Sequence, residues 1–426
     1  MDRSGTESAL AGSEVARGRL AAGGGSGRRE ACKLEAEALP NIEGGMKRSA
    51  VALVRCTTYD PDRVYDALSR GVELLGGLDR FVRPGERLLL KPNLLAGEAP
   101  EKVVTTHPSV LAACIRLFRK GGAAVCFGDS PGYERPADAA DRAGLLEAGV
   151  RCGADFVSFS NGRRMENPES ELVSRFPIAD ALSECDGIVN LPKMKTHQLT
   201  RITGAVKNLF GCVPGPRKAL YHVRFQDLTD FCTLLVELNL LLRPRLHIMD
   251  GVVAMEGNGP RGGDPRPMRT LILSEDSVAV DSVFCSLVAM DPGFVPTNVI
   301  GEQRGLGYHQ EGRIELVGES LEELVADDFR IVRRPVSSYP FFAQCGITKK
   351  LFLPRPAIDG ARCIRCGQCV EACPVPEKAV HFADGRGRPP RYDHDVCIRC
   401  YCCHEACPER AIEKRTPVLG RVLGFG

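Results

Sequence analysis

The sequence predicts an α/β domain with a largely parallel sheet over residues 46–335, followed by a small α+β module over 359–416. Three observations carry this expectation. Short, near-continuous apolar runs alternate with segments of helical periodicity through most of the chain, as strands covered on both faces by crossover helices do. A cysteine pattern occurs twice near the C-terminus, which marks a duplicated unit with its own framework. Finally, 426 residues are enough for two or three domains with real cores.

Taken in order, residues 1–45 are rich in Gly, Ala, Ser, Glu and Arg and show no apolar period. Such a composition does not repay the entropy of ordering, so a disordered extension is expected, with Met46 an alternative start. Strands are expected at Ala50–Cys56, Arg87–Lys91, Ala123–Gly128, Gly187–Leu191, Arg245–Met249 and Leu271–Leu273. Helical spacing falls at Ser109–Lys120, Ala137–Ala148 and Val278–Met290. Residues 336–358 contain three prolines and read as a connector, and 417–426 as a tail.

Composition limits the function classes. The 56 basic and 54 acidic side chains leave a net charge near +2, so neither a nucleic-acid partner nor an anionic membrane is expected from bulk charge. The most apolar region, Leu234–Met255, is broken by Glu237, Asn239, Arg243, Arg245 and Asp250, and no run of about 18 apolar residues exists to span a bilayer. Without a signal-peptide core or twin-arginine signal, a cytoplasmic location is expected.

Nine of the 19 cysteines lie between 363 and 407, and ten are scattered singly. The scattered ones, such as Cys114, Cys126 and Cys232, sit in apolar runs and read as small buried hydrophobes. The crowded ones form Cys363-x-x-Cys366-x-x-Cys369-x-x-x-Cys373-Pro, repeated as Cys397-x-x-Cys400-x-x-Cys403-x-x-x-Cys407-Pro. Cys-Ile-Arg-Cys opens both copies and Glu-Ala-Cys-Pro closes both. Structural zinc prefers four ligands in two separated pairs, which this spacing does not supply. The duplication closely resembles the bacterial-type two-cluster ferredoxins, and the module is therefore expected to be a two-cluster ferredoxin-type domain. The resemblance implies two [4Fe–4S] clusters and an exchange of fourth ligands between the repeats. One cluster would then be held by Cys363, Cys366, Cys369 and Cys407, and the other by Cys397, Cys400, Cys403 and Cys373. Cys402 replaces Gln368 of the first copy and reads as a bystander; Arg362, Arg365, Arg399 and Arg410 could offset cluster charge.

In the α/β region, charged residues gather where apolar runs end: Lys91-Pro-Asn93, Asp129-Ser-Pro-Gly, Lys193-Met-Lys195-Thr-His197, and Asp250 through Glu256. Ligands bind outside the carboxyl ends of parallel strands, so one shared rim site is expected, joined by Lys207 from the following helix. Taken singly, each residue has a structural reading as a turn, cap or solvated charge. No Gly-x-Gly-x-x-Gly follows a strand, which removes a dinucleotide fingerprint, and no Ser-His-Asp or Cys-His dyad is readable. These segments, together with Thr203-Gly-Ala-Val-Lys-Asn-Leu-Phe-Gly211 and Asp276-x-Val-Ala-x-Asp281, resemble the family catalogued as domain of unknown function 362, over roughly 50–300. That resemblance implies an uncharacterised iron–sulfur protein and supplies no substrate.

The residues suggest roles. Lys193, Lys195, His197, Asp129 and Asp250 are the catalytic candidates; Lys91, Asn93, Lys207 and Glu256 are the binding candidates. The lysines could neutralise a small anionic ligand, and Asp129, Asp250 and Glu256 could hold a divalent metal or act as general base. The leading expectation is an iron–sulfur electron-transfer protein whose α/β domain binds a small anion or a redox partner protein and draws on a low-potential donor or acceptor. A reductase fed by the clusters at the strand-end rim is the alternative, and a cluster-sensing regulator is a third.

Overall fold

The computed structural model describes residues 48–215, 217–336, 346–383 and 385–422. The expected extension over 1–45 and residues 337–345 of the expected connector lie outside them.

The α/β domain is built on a ten-stranded sheet. Its strands are β1 (Ser49–Arg55), β2 (Arg87–Pro92), β3 (Ala124–Phe127), β4 (Asp155–Phe156), β7 (Gly187–Leu191), β8 (Lys193–His197), β9 (Arg201–Ile202), β10 (Leu246–Glu256), β11 (Asp264–Ser274) and β12 (Ile314–Gly318); β5 (Gly162–Glu166) and β6 (Arg175–Ala179) form a separate hairpin. The order β12-β1-β11-β10-β7-β2-β3-β4 is parallel except at β11, which runs antiparallel to both β1 and β10. The sheet is therefore mixed. β11 carries its apolar signal only in Leu271–Leu273, while its first half, from Asp264 to Met268, alternates charged residues with prolines and buries only Met268. Pairing with the long β10 orders that half, and local sequence does not display the pairing.

Helices close both faces. Asp60 caps α1 (Pro61–Leu74) by accepting from the amides of Asp62 and Arg63, and Pro61 is preorganised at the first helical position. α1 and α2 (Pro108–Lys120) bury Val64, Leu68, Leu111 and Phe118 against one face of the sheet. α7 (Leu228–Leu242) buries Phe231, Leu234, Leu235 and Leu238 on the other, and α8 (Ser277–Leu287) covers β1 and β10. The helix expected over Ala137–Ala148 is two, α3 (Pro136–Arg142) and α4 (Leu145–Arg151), divided where Gly144 takes φ 72°. The other helices are α5 (Gly204–Asn208), α6 (Arg217–Arg224) and α9 (Pro296–Gln303).

His247 on β10 is buried, and its Nδ1 lies 2.9 Å from the Asn190 side-chain amide, leaving the ring neutral. Burial lowers its pKa from 6.5 to about 3. The unfolded chain therefore takes up this proton first, so stability present above pH 6.5 falls as pH drops toward 3. Between pH 7 and pH 5 this one site should cost the fold about 2 kcal/mol. His247→Gln should flatten that slope in urea titrations; an unchanged difference between the two pH values would contradict the assignment.

The C-terminal module shows its duplication in the backbone. β13 (Arg355–Ile358) pairs with β16 (Ile412–Arg415), and β14 (Val380–His381) with β15 (Arg391–Tyr392). Arg365 and Arg399 occupy equivalent positions with φ 61° and 59°, as do Lys378 and Arg410 with 52° and 53°. Gly367 in the first repeat matches Tyr401 in the second, both with positive φ. A tyrosine bears more strain there than glycine. Both are buried, whereas Ile364 and Arg365 in the opening loop of the first repeat are exposed.

Candidate redox and anion site

The cysteines of the module fall into two groups. Cys363, Cys366, Cys369 and Cys407 line one cavity of about 350 Å³, walled by Ile358, Ile364, Pro390, Pro408 and Ile412. Burial raises the Cys369 thiol to about 12, with the charges of Cys407, Cys366 and Cys363 adding to it. Burial likewise raises Cys397, with further contributions from Cys400 and Cys373. Each first-three group is thus drawn together with the last cysteine of the other repeat. Among the described residues, no three His, Cys, Asp or Glu side chains converge closely enough to hold a single metal ion. Thiols set around a cavity rather than a point fit a cubane cluster and do not fit tetrahedral zinc, whose bonds are about 2.3 Å.

A second cavity, of about 710 Å³, lies where the module meets the α/β domain. Asn93, Asp129, Ser130, Lys195, Thr203, Lys207, Asn208 and Lys218 line it from the α/β side, and Cys402 and Glu405 from the second repeat. Strand ends supply the first residues, as expected of a rim site. Lys91 is fully buried behind them, 2.8 Å from Asp129, whose other oxygen accepts from the Leu94 amide. A Cβ on Gly211 would stand 1.9 Å from Asp129 Oδ1 and 2.8 Å from Lys91 Nζ. Gly211→Ala should therefore break the pair and lower unfolding stability by about 3–5 kcal/mol. Denaturant titration checks this; a loss under 1 kcal/mol would show that the loop moves aside.

Lys195 differs from Lys91 and Lys193, each of which has a carboxylate partner. Its Nζ reaches only neutral acceptors, Asn93 Oδ1 and the Val104 carbonyl, each at 2.7 Å. Burial pulls its pKa well below the usual amine range, and Lys207 adds repulsion. Asn93 continues to Asn208, which also accepts from Lys91 and donates to Asn190. Lys218 on α6 donates to Ser130 Oγ and to two backbone carbonyls, and burial lowers it to about 7. His222 stacks on Phe231 at 4.3 Å and lines the same cavity, with its pKa lowered by burial to about 4. The Thr203 hydroxyl is buried there without a hydrogen-bond partner.

The remaining candidates stand elsewhere. Lys193 Nζ lies 2.8 Å from Asp250 and 2.7 Å from the Tyr59 hydroxyl, and Asp250 also accepts from Tyr59 and the His107 amide. That network is buried, internally satisfied and outside the cavity lining. Lys193–His197 is a strand beside β10 and not a loop beyond the sheet, so alternate residues are committed to packing. Glu256 accepts from the Arg330 amide and guanidinium. Asp129, Asp250 and Glu256 are each neutralised separately, so they do not assemble the divalent-metal site considered from sequence.

His197 Nε2 lies 2.9 Å from Glu405 of the second repeat, while Nδ1 accepts from the amides of Leu199 and Thr200. Both nitrogens are occupied and burial lowers its pKa to about 3, so the ring is a neutral donor that positions Glu405 and not a proton carrier. Burial alone would raise Glu405, but the Lys207 charge and the His197 bond hold it below the usual carboxylate range. His404 to Asn258, Arg261 to the Ala406 carbonyl and Tyr133 to the Ala372 carbonyl complete this junction. Cys402, the surplus thiol of the second repeat, lines the cavity. Lys218, His222, Glu405 and Cys402 are not strand-end residues, so the rim pattern does not single them out; the mismatch of Tyr401, Cys402 and His404 against Gly367, Gln368 and Val370 is the signal that sequence offers.

Fold and site define an α/β protein joined to an iron–sulfur electron-transfer module. The profile of the domain of unknown function 362 matches residues 88–286, and that of a 4Fe-4S dicluster domain matches 355–408. A protein of Synechocystis sp. described as thylakoid-associated is 37% identical over 258 residues, covering 60% of this chain and 80% of the relative. The chain belongs to the domain-of-unknown-function 362 family and carries a C-terminal 4Fe-4S dicluster domain. A crystal structure of a Thermotoga maritima protein aligns at 13% identity with a TM-score of 0.33, over 53% of this chain and 57% of that one, too slight a likeness to bear on the fold. No helix among the described residues is long and apolar enough to cross a membrane.

Proposed function

We propose that this protein passes single electrons to a small anionic acceptor held in the 710 Å³ cavity between the α/β domain and the second cysteine repeat. The observation that carries this reading is the shared lining: Lys195, Lys207 and Lys218 from one side, and Cys402, next to the cysteine pair 400 and 403, from the other. When bound, the two clusters supply low-potential electrons one at a time. Cys363, Cys366, Cys369 and Cys407 would hold one, and Cys397, Cys400, Cys403 and Cys373 the other.

The chain's own residues do the rest. Lys207 offsets the acceptor's charge in a water-poor site, where such contacts are strong, and an anion beside Lys195 restores the charged form that burial disfavours. Lys218 Nζ, held near 7, can give a proton to the reduced acceptor at neutral pH. Tyr133 and Glu405 close the cavity toward the module. Activity at a membrane surface is favoured over a free cytoplasmic one only by the description of the Synechocystis relative.

The test is anaerobic. Protein reduced by photoexcited deazaflavin is mixed with inorganic oxyanions and short carboxylates, and cluster absorbance is followed. An acceptor should restore the oxidised spectrum and lose that ability in Lys207→Gln. Reoxidation untouched by that variant, or by no anion tried while calorimetry also detects no binding, would overturn the reading.

A further inference from the structure

We propose that electrons enter through the first cysteine repeat, whose outer face is a docking surface for an acidic one-electron carrier protein. The inference rests on the electron-transfer reading above but not on the identity of the cavity ligand.

The two repeats are alike in backbone and opposite in surroundings. The second is covered: Tyr401, Cys402, Cys403 and His404 are buried, with His404 bonded to Asn258 of the α/β domain and Cys402 in the shared cavity lining. In the first, Gly367 and Cys369 are buried as well, but Gln368 is exposed, Val370 is half-buried, and the preceding Ile364 is 58% exposed. Ile364 and Arg365 form part of the wall of the 350 Å³ cavity with Cys363 and Cys366. Cys363 and Cys366 are only half-buried beneath this exposed loop, while Cys373, Cys397 and Cys403 of the second group are buried and their neighbour Cys402 lines the anion cavity. A carrier can approach the first group closely and cannot approach the second from the covered side.

Charge selects the kind of carrier. Arg365 is exposed and donates to the Gly387 carbonyl, which ties the loop 385–391 to this face. That loop adds exposed Arg386, Arg388 and Arg391, with Arg386 within 3.2 Å of the Cβ position of Gly367. Among the described residues, Glu409 is the only acid in the cavity wall. An exposed isoleucine beside Arg365, on a face to which a loop with three more exposed arginines is tied, combines an apolar contact with charges that steer an acidic partner. One electron leaves the carrier and reduces the chain by one; no bond is made and no proton is needed at this face.

The probe is a reduced plant-type [2Fe–2S] ferredoxin, an acidic carrier, mixed with the holoprotein in stopped flow. Binding of the oxidised carrier is measured separately by calorimetry. The wild-type rate constant should fall steeply with salt. Arg365→Glu/Arg388→Glu should lower both rate and affinity at least tenfold at low ionic strength. Iron content and reduction by deazaflavin should be unchanged. If Arg365→Glu costs iron by releasing Gly387, Arg388→Glu/Arg391→Glu tests the same patch without that contact. Rates and affinities within twofold of wild type in the iron-replete variant, or salt-independent reduction, would overturn the proposal. Docking that survives while no anion reoxidises the protein would leave this face assigned and remove the cavity reading instead.

Discussion

Lys195→Met should weaken binding of the cavity's anion by about 100-fold, roughly 3 kcal/mol, while the chain stays folded. The side chain is fully buried, and its amine has no carboxylate partner, only Asn93 Oδ1 and the Val104 carbonyl. Methionine fills nearly the same volume. It leaves two acceptors short of a donor, at about 1–3 kcal/mol each, but removes the cost of burying an amine, so the two effects oppose each other. Lys193→Met is the contrast. It strips Asp250 of its buried cation, and losing one partner of such a pair costs about 3–5 kcal/mol. Calorimetric titration with phosphate and short carboxylates, beside denaturant unfolding, separates the cases. Lys195→Met with unaltered affinity, or Lys193→Met with unaltered stability and lost affinity, would reverse the roles assigned to these lysines.

Cys407→Ala should reduce iron from about eight to about four per chain, through loss of the cluster site formed by the first repeat. Cys407 lies in the wall of the cavity lined by Cys363, Cys366 and Cys369, although it belongs to the second repeat by sequence. Double variants make the assignment sharp, because residues of one site act together and those of separate sites add. Cys407→Ala/Cys366→Ala should still keep about four irons, and Cys407→Ala/Cys400→Ala should keep almost none. The opposite pattern would show that each repeat ligates its own cluster. Cys402→Ala should retain about eight, which separates this cavity thiol from the ligands.

The cluster module is legible in the sequence because its information is local: three cysteines at fixed intervals, a proline, and a second copy in which each feature recurs. The strand-end lysines are legible for a similar reason, since apolar runs reveal where buried strands stop. Lys91, Asn93, Asp129, Lys195 and Lys207 are indeed brought to one place, with Lys91 behind the Asp129 wall. Spacing cannot separate Lys193 from Lys195, because residues two apart on a strand share a face. What separates them is the neighbour each meets: Asp250 on the adjacent β10 lies opposite Lys193, whereas Lys195 meets Asn93 and the Val104 carbonyl.

By itself, then, the sequence determined the chemistry available: thiolates for two clusters, an α/β sheet, and lysines near its rim. Only the tertiary structure decided how these meet. Glu405 and Cys402 lie about two hundred residues from His197 and Lys195, yet they close the same junction. Lys218 and His222 enter on α6, whose short helical pattern carries no sign of the cavity. The physical reason is that thiol spacing is set by the geometry of a few consecutive residues. A pocket's walls are set by which surfaces dock, here through His197 with Glu405, Asn258 with His404 and Arg261 with the Ala406 carbonyl.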